Sequence, residues 1–184
     1  MNIFVLDESP LTAAEMHCDK HVGKMTLEVA QMLSTINHKH GKLAPYKPTH
    51  ANHPCVLWAE ANTENYQWLV EYGKELGRQF YHRFDKHHKS TSVVYLASLH
   101  RPDLPYAGRP TEPVQCMPAH LHSDNTVESY RRFYHEYKSY FATWERGVEA
   151  PDWWDQEYAN LYTWNTPIWR DKVAQYARAL RRKG

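Results

Sequence analysis

HCDKHVGKMTLE, His17 to Glu28, packs two histidines, two lysines, a cysteine and two carboxylates into twelve residues. On a helical wheel of about 100° per residue, His17, His21, Lys24, Glu28, Gln31 and Thr35 share one face roughly 80° wide. Val22, Met25, Val29, Met32, Leu33 and Ile36 form the adjoining apolar face. A polar stripe that borders a core must find partners or line a cavity. A solvated edge carrying an i,i+4 Lys24–Glu28 pair is the plain alternative. Which of the two holds decides whether this helix only builds the fold or also acts.

Working outward, Thr12 with Glu15 three residues later has the pattern of a capping box, so the spacing predicts a helix from about Ala13 to Asn37. Gly41 and Pro45 end it. The preceding NIFVL predicts a short buried strand or extended segment. KLAPYKPTHANHP, with three prolines, predicts a loop. Pro54 suits the first position of a short helix over CVLWAEA. Asn62 caps the next, where Tyr66, Leu69, Val70, Gly73, Leu76, Gly77, Phe80 and Phe84 keep the helical period. Ser90 is the expected cap of a helix over TSVVYLASL. Arg101 to Pro118 holds five prolines and predicts a loop. Asn125 with Glu128 predicts a helix to about Arg146, stopped by Gly147. Asp171 to Arg182 predicts a terminal helix with a basic end. The expected fold is mainly α: one helical, bundle-like domain over 1–184 with long ordered loops, the aromatic segment 151–184 packing on it.

Composition narrows the class. At 184 residues, 42% hydrophobic and 23% charged, the chain is long enough for one domain with a real core. Net charge is +1, so overall charge announces no nucleic-acid binder, but 13 histidines make the protein basic when they protonate. Thirteen tyrosines and 7 tryptophans supply rings that pack, hydrogen-bond and stack on bases. Cys18, Cys55 and Cys116 are odd in number and widely spaced, so reduced thiols and a cytoplasmic location (the host cytoplasm for a phage-encoded protein) are expected. The N-terminus lacks the basic region of a signal peptide, and no apolar run is long enough to span a membrane.

Three further clusters carry chemistry. YKPTHANHPC concentrates Lys47, Thr49, His50, Asn52, His53 and Cys55 in a loop. Folding alone needs no such density of donors, and loops on rigid helices often carry function. YHRFDKHHKS brings Arg83, Lys86, His87, His88 and Lys89 to a helix end, as a phosphate clamp or as a basic last turn. SYRRFYHEYKSYF alternates Tyr130, Tyr134 and Tyr137 with Arg131, Arg132 and Lys138, which suits a nucleic-acid backbone or an aromatic core with a basic edge. His17 and His21 at i,i+4 would suit two metal ligands, with His50, His53 and Cys55 adding more. No known zinc spacing is present, so a divalent metal is left open and no ligand set is assigned. P-loop, dinucleotide, G-x-S-x-G and C-x-x-C motifs are absent. What remains is a pocket of Lys, His, Arg, Asn and Tyr fit for phosphate or pyrophosphate.

CDKHVGKMTLEVAQMLST, YKPTHANHPCVLWAEANTENYQWL, YHRFDKHHKS and PVQCMPAH together resemble a family of small phage-encoded helical proteins from thymidine-hypermodification loci. These are named alpha-glutamyl/putrescinyl thymidine pyrophosphorylases or amino acid:DNA transferases. The resemblance spans roughly residues 1 to 155. It implies DNA carrying a pyrophosphorylated 5-hydroxymethyluracil as substrate, loss of pyrophosphate, and addition of an amino acid or polyamine at the methylene. Under it, Lys20, Lys24, Arg83 and Lys89 would stabilise the departing pyrophosphate. His21, His50 or His53 would deprotonate the incoming ammonium, and Glu28 would orient a lysine or histidine. Asn52 and Asn65 would read a uracil edge, and Tyr66 or Trp58 would stack on an extruded base. Thr49, His87 and Gln115 complete the expected substrate surface.

Other readings stand beside this one. A DNA glycosylase or lyase acting on a flipped pyrimidine would need little more than Lys24 beside Glu28. A non-catalytic nucleic-acid-binding module would use the stripes as phosphate contacts. A metal-dependent phosphohydrolase would be exposed by a chelator.

Overall fold

A computed structural model describes residues 1–162. Among these the chain is all helical: α1 Pro10–Glu15, α2 Asp19–Lys39, α3 Pro54–Glu60, α4 Thr63–Phe84, α5 Lys89–Leu99, α6 Thr126–Lys138 and α7 Gln156–Asn160, with a 3-10 turn at Ala119–Leu121. The mainly α expectation holds. The terminal helix expected over 171–182 lies outside the described residues.

α2, α4 and α5 form the centre, with α1 laid against α4 and α3 against both α2 and α4. Val22, Met25, Val29, Met32, Leu33 and Ile36, the apolar face read from the sequence, are all fully buried. Two glycines of α4 set the spacing. A Cβ on Gly73 would stand 2.6 Å from a Val29 methyl of α2 and 3.1 Å from Val94 of α5. A Cβ on Gly77 would stand 2.5 Å from Thr91. All three neighbours are β-branched and cannot swing aside, so three helices meet here only because these positions have no side chain.

Several helix starts follow from their caps. The Asn62 side chain accepts the Asn65 N–H at 2.8 Å, the Asn125 side chain accepts the Glu128 N–H at 3.0 Å, and Pro54 opens α3. Elsewhere the chain departs from expectation. The single helix over 13–37 is two helices, α1 capped by Ser9 and α2 starting at Asp19. The break has no proline or glycine. Instead Arg83 donates to the Glu15 carbonyl at 2.8 Å and the His17 carbonyl at 2.6 Å. It also pairs with Asp19 at 3.2 Å. A buried guanidinium thus takes carbonyls that a continuous helix would have used itself. α5 is capped by His88 rather than Ser90, and α6 ends at Lys138, short of Arg146.

NIFVL forms no strand. Ile3, Phe4, Val5 and Leu6 are buried and threaded through the bundle. Side chains take the place of a strand partner. Tyr72 donates to the Ile3 carbonyl at 2.6 Å, Arg131 to that of Leu6 at 2.9 Å, and Trp68 to that of Glu8 at 2.8 Å. Phe4 adopts φ +46°, a strained value for a bulky residue. Its ring stacks on Phe133 at 5.6 Å and lies 4.8 Å from the His21 ring. The threaded segment is what brings Asn2 beneath α2, α3 and α6.

Candidate active site

Glu28 is the hub. It lies on α2, one turn past Lys24 and two past His21 on the same stripe. Its Oε2 accepts the Asn2 backbone N–H at 2.9 Å, and the Met1 amino group stands 3.8 Å away. Lys24 Nζ is 3.7 Å from Oε1. The lysine is well exposed, so as a surface pair it is worth only a few tenths of a kcal/mol to the fold. Lys24 and Lys138 reach this carboxylate, and Lys20 stands one turn before Lys24 on α2, beside His21. Lys20 Nζ lies 4.9 Å from the centre of the Phe141 ring. Lys138, at the end of α6, lies 4.6 Å from the Phe133 ring and 5.5 Å from Phe4. Burial and then the positive Lys24 push Lys138 down to about 8, while Glu28 opposes them. Its amine is therefore partly neutral in a mildly basic solution, unlike an ordinary lysine.

His21 sits under this cluster but does not open to solvent. It is buried between Phe4, Tyr134 at 5.1 Å and Phe141 at 5.0 Å. Burial, then His17, Lys138, Lys24 and Lys20, hold it well below the usual histidine range, and its Nδ1 has no hydrogen-bond partner among the described residues. A neutral imidazole with an unused nitrogen is the floor of the lysine cluster. His17 is spent on the fold. Its Nδ1–H donates to the Ala13 carbonyl at 2.8 Å, Nε2 faces the Tyr72 hydroxyl at 2.7 Å, and burial lowers it to about 3. The His17/His21 ligand pair considered from spacing is therefore corrected: His17 precedes α2, and its nitrogens are engaged.

The loop HANHPC comes to the same place. Thr35 on α2 donates to the Thr49 carbonyl at 3.1 Å and accepts the Thr49 N–H at 3.0 Å, pinning the loop to the stripe. The Thr49 hydroxyl bonds to His50, which is exposed and holds φ +50°. Asn52 is exposed one residue before His53. His53 caps α3 by accepting the Cys55 N–H at 3.2 Å. It is half-buried, and burial first, then the Met1 amino group and His50, lower its pKa against Glu28. So the fold joins the two clusters that the sequence keeps apart.

Other expected residues lie elsewhere. Tyr66 is buried with its hydroxyl bonded to Asn37 at 2.7 Å, so its ring offers no face to a base. Asn65 is buried and holds the Trp58 carbonyl at 2.7 Å and Thr111. Trp58 is buried against Trp68, its indole N–H on the Thr111 carbonyl. Trp58 and Trp68 help line a separate open cleft of about 840 Å³ that also carries Glu8, Glu112 and Asp124. Its three carboxylates outnumber the one cation, Arg109, and so disfavour phosphates there. Arg83 is the buried clamp described above, not a phosphate ligand. His87 stacks on Tyr81 at 4.7 Å in the α4–α5 turn, and Lys89 is exposed at the start of α5. Gln115 ties Ser123 and Thr126 together. On α6 the aromatics are core and Arg131 is drawn to Leu6 and Asp7, so most of that alternation is a core face with a basic edge.

Spacing did not single out three participants. Asn2 donates Nδ2–H to the Cys116 carbonyl at 2.8 Å, and its Oδ1 lies 3.9 Å from Cys55 Sγ. Cys116 meets Cys55, sulfur to sulfur, at 3.5 Å. With His53 these cysteines place three metal-capable donor atoms within 4.8 Å of one another. Lys138 was visible only as one member of a basic–aromatic run.

Among known proteins, a family model described as pyrimidine dimer DNA glycosylase matches residues 1–92, half of the 184-residue chain. The match covers Glu28, Lys24 and the HANHPC loop, and stops before Cys116 and Lys138. No curated protein and no solved structure matches the chain.

Proposed function

Because the chain belongs to the pyrimidine dimer DNA glycosylase family, we propose that it is an enzyme acting on a pyrimidine of DNA through the Glu28 site, and that its reaction is amine transfer to a pyrophosphorylated 5-hydroxymethyluracil. The family points to DNA and to pyrimidines. The resemblance of the HCDKH and HANHPC elements to thymidine-hypermodification proteins supplies the finer reaction.

The observation that carries the choice is the sign of the charge. Lys24 and Lys138 stand near one carboxylate, with Lys20 a turn before Lys24 beside His21. When pyrophosphate leaves the methylene carbon, negative charge builds on its oxygens, and ammonium groups there lower the barrier. When an intact base leaves the sugar, positive oxocarbenium character builds at the anomeric carbon, as in glycoside cleavage. Ammonium groups there oppose it. In the proposed step the carbon–oxygen bond to pyrophosphate breaks, and the incoming amine nitrogen bonds to the methylene carbon. Glu28 is the acceptor for the proton the amine loses. The target base must leave the stack to reach these groups.

One observation favours a second reading. Lys138, lowered to about 8, is the kind of amine that attacks a sugar carbon to give an imine, which fits the family's description as a glycosylase. The two readings separate in one assay. Duplex DNA bearing pyrophosphorylated 5-hydroxymethyluracil is given with an amino-acid and polyamine mixture, and both released pyrophosphate and strand breaks after alkali are measured. Amine transfer predicts pyrophosphate release without breaks, reduced about 100-fold or more by Glu28→Gln. Breaks without pyrophosphate release would replace it by the glycosylase.

A further inference from the structure

We infer that His53, Cys55 and Cys116 form a binding site for a thiophilic divalent cation of the zinc class, with an open fourth position. Two sulfurs and one imidazole are a soft donor set that selects zinc over magnesium or calcium. The three donor atoms lie within 4.8 Å of one another, and the two sulfurs are 3.5 Å apart. Sulfurs bound at about 2.3 Å around a tetrahedral ion stand roughly 3.8 Å apart. The pair is therefore close to ligand spacing, and it is far from the roughly 2.05 Å of a disulfide. His53 spends its Nδ1 on the Cys55 N–H at 3.2 Å. Loading the site exchanges that long cap for a coordinate bond and asks for a small turn of the ring.

The surroundings hold the donors where they are. Cys55 is in the first turn of α3, and His53 is that helix's cap. Cys116 comes from a chain segment 61 residues away. It is fixed by Asn2, whose amide donates to its carbonyl, and by the Tyr130 hydroxyl, which accepts its N–H at 3.2 Å. The same hydroxyl lies 2.9 Å from Asn2 Oδ1. Outer partners of this kind orient ligands in metal sites. Asn2 also gives its backbone N–H to Glu28, so the ion would be one residue removed from the Glu28 carboxylate. Among the described residues the protein ligands number three, the count at which zinc sites keep a position for water or substrate. On this assignment His53 is a ligand and not the base considered from the sequence. The inference does not depend on the reaction proposed above.

The test uses the full chain without an affinity tag, purified under reducing conditions. Metal content is measured by mass spectrometry of the elements after dialysis. Cobalt(II) is then added to the metal-free chain and its sulfur-to-metal charge-transfer band is read. Expected are stoichiometric zinc, an intense thiolate band with cobalt, and loss of both in Cys116→Ser and His53→Ala, while Cys18→Ala keeps them. The wild-type cobalt spectrum stands even where a variant fails to fold. A metal-free chain that shows no thiolate band with cobalt would overturn the inference. So would an intact mass short of two hydrogens, which would make Cys55 and Cys116 a redox pair instead.

Discussion

Residues of one type do opposite work here, and their surroundings decide which. Lys24 is exposed beside Glu28, so its loss costs the fold little. Lys24→Ala is expected to lower turnover by about 100-fold while moving the midpoint of thermal unfolding by no more than a degree or two. A large loss of stability with activity per folded molecule retained would return the stripe to a purely structural role. His17 and His21 behave differently. Both are buried and held below the ordinary histidine pKa of about 6.5, His17 at about 3. Between those values the unfolded chain binds more protons than the folded one, so stability must fall as the solution is acidified from pH 6.5 toward 3. The slope approaches about 1.4 kcal/mol per pH unit for each histidine. Urea unfolding followed from pH 7 to pH 5 checks this, and His17→Gln should flatten the dependence. The identity of such residues was legible in HCDKHVGKMTLE, but their division was not. His17 and His21 were read together as one face, yet Tyr72, 55 residues away, engages the first, and a cage of rings buries the second.

At the scale of elements, what local chemistry controls was readable and what distant residues control was not. Asn62, Asn125 and Pro54 mark their helix starts because cap and helix are neighbours in sequence. The break between α1 and α2 was hidden because the group responsible, Arg83, lies 66 residues beyond His17. NIFVL looked like a strand because its apolar run is genuine, but its carbonyls are satisfied by Tyr72 and Arg131 rather than by a neighbouring strand. Arg83→Met is expected to destabilise by about 3 kcal/mol or more, since it leaves the Glu15 and His17 carbonyls without their donor and Asp19 without its ion-pair partner. Gly73→Ala tests the spacing of α2, α4 and α5. The added methyl meets Val29 and Val94, and a loss of about 1–3 kcal/mol is expected by chemical denaturation. An unchanged midpoint would mean that the three helices have room to separate.

At the scale of the molecule, the bundle is a device for bringing four sequence-distant pieces to one spot: the threaded N-terminus, the stripe of α2, the HANHPC loop and the end of α6. The α2 stripe and the loop were legible as candidates because their residues are dense in chemistry; the N-terminus read only as a short apolar run. The fourth was not legible, because Lys138 sits in a helix whose other aromatics are ordinary core. Among the described residues no helix is long and apolar enough to cross a membrane. The reaction proposed for this junction is amine transfer to a pyrimidine in DNA. Nucleoside mass spectrometry tests it most directly. DNA carrying pyrophosphorylated 5-hydroxymethyluracil is incubated with the protein and a mixture of amino acids and polyamines, then digested to nucleosides. Amine transfer predicts a new nucleoside heavier than thymidine by the donor amine less two hydrogens, and absent with Glu28→Gln. An unchanged nucleoside profile, or loss of the modified base to leave abasic sugar, would contradict it.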